Sequence, residues 1–205
     1  MDSAFLITAF VTLFVIVDPI GLMPLFIALT QGMTPQQRNA IAFRSCGVAA
    51  ILLTLFAISG EAVLGFVGIS MPAFRVAGGI LLFITALDML FERRTKRRED
   101  QAEEEDHNDP SVFPLAIPLI AGPGSIASII LLAGQQPGLL GLASVLGVMV
   151  AVLVLVFVLF RLGSHFERLL GRTVINVVTR LLGMLLAALS VQFVLDGLRA
   201  FGLGA

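Results

Sequence analysis

Of the 205 residues, 58% carry apolar side chains and only 13% are charged, whereas soluble domains average about 45–50% apolar, glycine included, and about 25% charged. That excludes a soluble globular protein, and the balance of 13 Lys and Arg against 14 Asp and Glu leaves no basic footprint for nucleic acid. The lone cysteine, Cys46, lies in an apolar stretch and reads as small apolar filler, so neither a disulfide framework nor a cysteine metal site is available within one chain.

Apolar runs long enough for a hydrocarbon core of about 30 Å predict an all-α, polytopic membrane protein with six transmembrane spans, near residues 4–29, 40–59, 69–91, 112–133, 139–160 and 174–195. The amino terminus, Met1 to Phe5, lacks the positive n-region of a cleaved signal, and its apolar run outlasts signal-peptide length, so it is expected to be the first span. Between the third and fourth spans lies a charged segment that holds 13 of the 27 charged residues between Glu92 and Asp109. Such a segment cannot bury apolar area and is expected to be a solvated, mobile linker. The implied division is a three-helix repeat over 1–91, a cytoplasmic linker over 92–111 and a second three-helix repeat over 112–205.

Orientation follows from the preference of cytoplasmic loops for Lys and Arg. With both termini outside, Arg38, Arg44, the five basic residues from Arg93 to Arg98, Arg161, Arg168 and Arg172 fall on the cytoplasmic side, and Arg199 falls outside.

The first span contains Val17-Asp18-Pro19-Ile20-Gly21, with aspartate where an N-cap belongs and proline at the first helical position. At about 1.5 Å per residue, Asp18 sits about 21 Å from Ala4, inside the membrane. The fourth span contains Gly122-Pro123-Gly124-Ser125, about 16 Å from Val112 by the same rise, approached through Pro114 and Pro118. An offset of 104 residues superposes these two breaks. An offset of 105 pairs Arg75 with Arg180, Gly78 with Gly183 and Thr85 with Ser190. Each half is thus a broken helix, a plain helix and a helix entered through an arginine, and because three is odd the second half enters from the opposite face. Inverted-topology repeats with matching interrupted helices are the sequence pointer to a secondary transporter's binding site, since a helix is interrupted at depth only where protein or a water-filled cavity satisfies its freed backbone groups.

Two half-helices starting at Pro19 and Pro123 bring their positive ends together, which favours a carboxylate; Asp18 or freed carbonyls accept an ammonium or a proton. A small zwitterion suits such a site, and the absence of Trp and Tyr favours a small cavity. The competing reading makes both breaks simple proline kinks, with Asp18 capping its own helix. Arg75 and Arg180 either snorkel to the interface or brace the broken helices. Asp88 is near a span end and reads as solvated. Thr85, Ser190, Ser128 and Gln192 either bond between helices or line a path. An intramembrane enzyme lacks support: there is no His-Glu-x-x-His pattern, and His107 and His165 fall in loops without convergent acid or base partners. A channel or a non-transporting membrane protein stays open.

The segments Asp18-Pro19-Ile20-Gly21-Leu22-Met23-Pro24-Leu25-Phe26 and Pro114-Leu115-Ala116-Ile117-Pro118-Leu119-Ile120-Ala121-Gly122-Pro123-Gly124-Ser125-Ile126 resemble the signatures of the MarC family of bacterial and archaeal inner-membrane proteins, which includes SnatA-type small neutral amino acid transporters. The resemblance covers essentially the whole chain. It implies a multi-pass inner-membrane carrier of small neutral amino acids such as glycine or alanine; no cofactor is expected, a proton or a sodium ion is the candidate coupling ion, and the sequence does not choose between them. The motif positions it carries over are Asp18, Pro19, Gly21 and Pro24 in the first break and Pro118, Gly122, Pro123, Gly124 and Ser125 in the second.

Overall fold

The computed structural model describes residues 3–91, 93 and 109–203, and among these the regular elements are all helices. The first span joins α1 (Ser3–Val17) to α2 (Pro19–Leu29). Then come α3 (Pro35–Val67) and α4 (Met71–Leu90). An irregular arm, Ser111–Ile120, leads into α5 (Pro123–Gln135), and α6 (Leu139–Gly163) and α7 (Thr173–Ala200) complete the chain. Five of these stretches are long and apolar enough to cross a membrane, and a sixth crossing follows when the irregular arm and α5 count as one span bent by 56°. Large apolar side chains point outward along the spans, among them Phe43 at 70% and Ile51 at 71% exposure, as expected where lipid replaces water as the solvent. The charged linker expected over 92–111 falls mostly outside the described residues.

The second span departs from its predicted bounds of 40–59. Its helix runs for 33 residues, about 50 Å at 1.5 Å per residue, well beyond the hydrocarbon. The ends explain the length. Thr34 Oγ1 accepts from the Gln37 amide at 3.3 Å while the Gln37 side chain accepts from the Thr34 amide at 2.9 Å, a reciprocal capping box, and Pro35 follows at the first helical position. At the other end Gly68 takes a left-handed φ of 80° and closes the helix. The third span holds its predicted bounds within two residues, with the Ser70 hydroxyl accepting from the Ala73 amide at 3.3 Å.

The two interrupted spans form the interior and the unbroken ones surround them. Half of the most apolar window of Ser3–Leu29 is buried, against 22–33% for the windows of α3, α4, α6 and α7. In α5, Ile129, Leu131 and Leu132 are wholly buried. Close approaches set the register. Gly78 of α4 faces Leu131 and Ala127, and Gly134 of α5 faces Met71, so α4 and α5 run antiparallel. Between α4 and α7, a Cβ on Gly79 would stand 2.8 Å from the Ser190 carbonyl oxygen and 3.0 Å from the Val194 nitrogen, and one on Gly183 would stand 3.2 Å from the Ala86 carbonyl oxygen and 3.4 Å from the Leu90 nitrogen. Glycine at both positions lets two backbones touch.

Boundaries recur along the chain. The caps Asp18 and Gly122 precede helices starting at Pro19 and Pro123; Thr34 and Gly138 precede helices starting at Pro35 and Leu139. Each pair is 104 residues apart. Gly79 and Gly183 occupy the crossing of α4 with α7, while Gly78 turns toward α5.

Candidate functional site at the two helix breaks

At the first break Asp18 adopts φ 57° and ψ 64°, the left-handed region, and is 1% exposed. Aspartate is one of the few non-glycine residues that enters this region readily. Its carboxylate Oδ1 accepts from the Gly21 amide at 3.0 Å, capping α2, while the backbone threads through: the Asp18 amide donates to the Phe14 carbonyl at 2.9 Å and the Leu22 amide to the Asp18 carbonyl at 3.0 Å. Pro19 has no N–H to offer the Val15 carbonyl, which lies in a residue with no exposure. The break therefore combines a buried carboxylate, a helix amino end and a main-chain oxygen without its usual helical donor.

The second break is built differently. Phe113 and Ile117, each preceding a proline, are extended at φ −122° and −127°, as the steric demand of a following proline requires. Both of these X-Pro bonds are cis. Hydrogen bonds in the arm skip five residues, from the Leu115 amide to the Pro110 carbonyl at 3.3 Å and from the Ala121 amide to the Ala116 carbonyl at 2.8 Å, the wide spacing that prolines at 114 and 118 permit. Gly122 is extended and supplies no side-chain cap; a Cβ there would collide with the Pro118 carbonyl oxygen. Ser125 is 2% exposed in the first turn of α5.

These breaks meet. A Cβ on Gly124 would stand 3.3 Å from Ile16, 3.5 Å from Leu82 and 3.9 Å from the Thr85 hydroxyl, so the first turn of α5 rests on the last turn of α1, two residues short of Asp18, with Thr85 beside it. One apolar cluster joins Val17, Leu22, Leu119, Ile120, Ala121 and Ile129 around both interruptions.

A profile described as MarC family integral membrane protein matches residues 3–201. The chain belongs to the MarC family. Relatives spread across bacteria: a UPF0056 membrane protein of Aquifex aeolicus is 39% identical over 94% of this chain and 92% of its own length, the Bacillus subtilis UPF0056 membrane protein YvbG is 34% identical over 97% and 96%, and the UPF0056 inner membrane protein YhgN of Escherichia coli K12 is 34% identical over 95% and 96%. No solved structure matches.

The remaining candidate residues of this MarC-family chain sort by position. Gly21, Pro24, Pro118 and Gly124 are partly buried and Pro123 is exposed. Ser128 is fully buried and its Oγ has no partner among the described residues. Ser190 is fully buried and donates to the Ala187 carbonyl at 2.7 Å, and Thr85 donates to the Leu81 carbonyl at 3.0 Å. Arg75 is partly buried with Nε unpartnered among the described residues, while Arg180 is exposed. Gln192 is not brought to the breaks: it lies exposed on α7 and donates to Asp196 at 2.8 Å. The sequence reading passed over Thr12, which is fully buried in α1 with Oγ1 unpartnered among the described residues. Ile16 lies against Gly124 while Phe5 and Leu6 line a cavity with Gln136, so α1 and α5 run antiparallel, which puts Thr12 level with Ser128 across the same interface. The available signal was a polar residue inside an otherwise apolar run, less than two turns before Asp18.

Proposed function

We propose that this chain is a secondary transporter of small neutral amino acids, glycine-like or alanine-like, working by alternating access around the paired breaks. The observation that supports this is the packing of the first turn of α5, at Gly124, on Ile16, two residues before the buried Asp18 that caps α2, in the interior of a membrane protein. Helix amino ends hold a carboxylate, and Asp18 with the Val15 carbonyl suits an ammonium, so the pair matches a zwitterion with little room for a side chain. Asp18, Pro19, Gly21, Pro24, Pro118, Gly122, Pro123, Gly124 and Ser125 form this site in the proposal, supported by Thr85, Ser128 and Thr12. The drive is a proton or sodium gradient.

In the same reading the halves 1–91 and 112–205 are inverted repeats joined by the 92–111 linker, in an inner membrane with both termini outside. Packing supports the repeat. The Gly79 contact with Ser190 and Val194 becomes the Gly183 contact with Ala86 and Leu90 when 104 is added to one partner and subtracted from the other. The approach of Gly60 to Ile130 likewise has its counterpart, within one residue, in the approach of Gly163 to Ile27. Such exchange is what a two-fold axis produces. In this reading the burial of Asp18 and Ser125, at 1% and 2% exposure, belongs to a closed state of the carrier.

The test is uptake of labelled glycine, alanine, serine and threonine by purified protein in liposomes under imposed proton or sodium gradients. Saturable, gradient-driven uptake is expected; flux that never saturates indicates a channel, and no flux for any of the four ends the proposal.

A further inference from the structure

Two cavities lie at opposite ends of the interior, and they are counterparts. The first, 510 Å³, is lined by Met33, Pro35, Gln36, Arg38, Asn39, Phe160 and Arg161. The second, 320 Å³, includes Pro137, Leu139, Leu142 and Ala57 in its lining. Adding 104 to Met33, Pro35 and Arg38, and subtracting it from Arg161, gives those four positions. The geometry is shared and the chemistry is not. Where the first cavity has two arginines, the second has leucine and alanine, and among the described residues that line it the one charged is Glu61.

We propose that the first cavity is a binding site for an oxyanion, a carboxylate or phosphate group. Arg38 and Arg161 come from two different spans, α3 and the end of α6, yet line one space together with Gln36 and Asn39. Arginines that merely snorkel spread over the headgroup layer and need no common cavity. Neither has an ion-pair partner among the described residues, and no described lining residue is acidic. The cavity also lies at the amino end of α3, whose first-turn N–H groups and dipole add positive potential. On its inner side the wall is Phe160, 2% exposed and stacked on Phe26 of α2 with ring centroids 4.2 Å apart. No described residue of either break lines this cavity, so the site is distinct from the one at Asp18, and the inference holds whether or not the chain carries solutes.

Guanidinium bonds to an oxyanion are charge-assisted and among the stronger polar contacts. The experiment uses the full chain in nanodiscs of phosphatidylcholine at low ionic strength, titrated with inorganic phosphate or acetate and followed by unfolding temperature. A second arm replaces part of the lipid with phosphatidylglycerol and measures retained lipid by mass spectrometry. Saturable stabilisation by phosphate or acetate, or retention of phosphatidylglycerol, is expected, and the arm that responds identifies the source as a soluble anion or a headgroup. Arg38→Gln and Arg161→Gln should each weaken the response about tenfold, Arg38→Lys should keep part of it, and Glu61→Gln in the opposite cavity should leave it unchanged. No saturable response in either arm, or undiminished, wild-type binding by both glutamine variants, overturns the proposal.

Discussion

The Gly21 amide donates to the Asp18 carboxylate at 3.0 Å, and the same carboxylate occupies the space that a side chain at 21 would need: a Cβ there would lie 2.7 Å from its Cγ and 2.9 Å from its Oδ1. Cap and glycine are one device. Gly21→Ala should therefore push the carboxylate off the helix end and cost about 1–3 kcal/mol, the range for overpacking with loss of a cap. Thermal unfolding in detergent measures it, and an unchanged midpoint contradicts this account.

Asp18→Asn separates the cap from the charge. Asparagine tolerates the left-handed backbone and keeps an oxygen for the Gly21 amide, so membrane insertion and unfolding temperature should stay near those of the wild type. Transport in liposomes should fall about tenfold, the equivalent of about 1.4 kcal/mol. Unaltered kinetics would reduce Asp18 to a cap.

Gly79 and Gly183 should be sensitive together. An added methyl at either meets backbone atoms of the facing helix at 2.8–3.4 Å, and backbone cannot turn aside as a side-chain tip can, so Gly79→Ala and Gly183→Ala should each destabilise by about 1–3 kcal/mol. Gly47→Ala, where a Cβ meets nothing within 4 Å, should be neutral or gain up to about 1 kcal/mol from helix propensity. Equal midpoints for all three variants would refute the crossing.

Asp109, at the entry to the fourth span, should titrate below an ordinary aspartate. The Ser111 hydroxyl and then its amide hold the carboxyl down, with Arg44 contributing least; the amide makes the hydrogen bond, at 3.0 Å, while the hydroxyl is close without bonding geometry. Arg44 is also ion-paired with Asp109. A depressed folded pKa means the contact's stabilisation is complete above the unfolded value, about 3.9, and is lost as pH falls through the lower folded one. Carbon-detected titration should show Arg44→Gln leaving most of the depression in place; a return to the ordinary value would make Arg44 its main cause.

Much of the architecture was readable because lipid imposes it. Apolar runs of span length, the helix-start chemistry of Asp18-Pro19 and Gly122-Pro123, and membership of the MarC family all follow from residues local in the chain. The start of the 33-residue second helix is legible too, in the Thr34, Pro35 and Gln37 capping box, which lies outside the apolar run.

Other features had no local signal. Whether Gly78 or Gly79 meets the sixth span, whether Gln192 faces in or out, and that Arg38 and Arg161 share a cavity depend on the angular position of each residue once helices have packed. Chain-local chemistry determined where helices start, stop and cross the membrane, since unmet backbone polarity in lipid is prohibitive and leaves few choices. Tertiary packing alone decided which side chains face one another across 100 residues of sequence, because a rotation of about 100° per residue turns a one-position shift into a different neighbour.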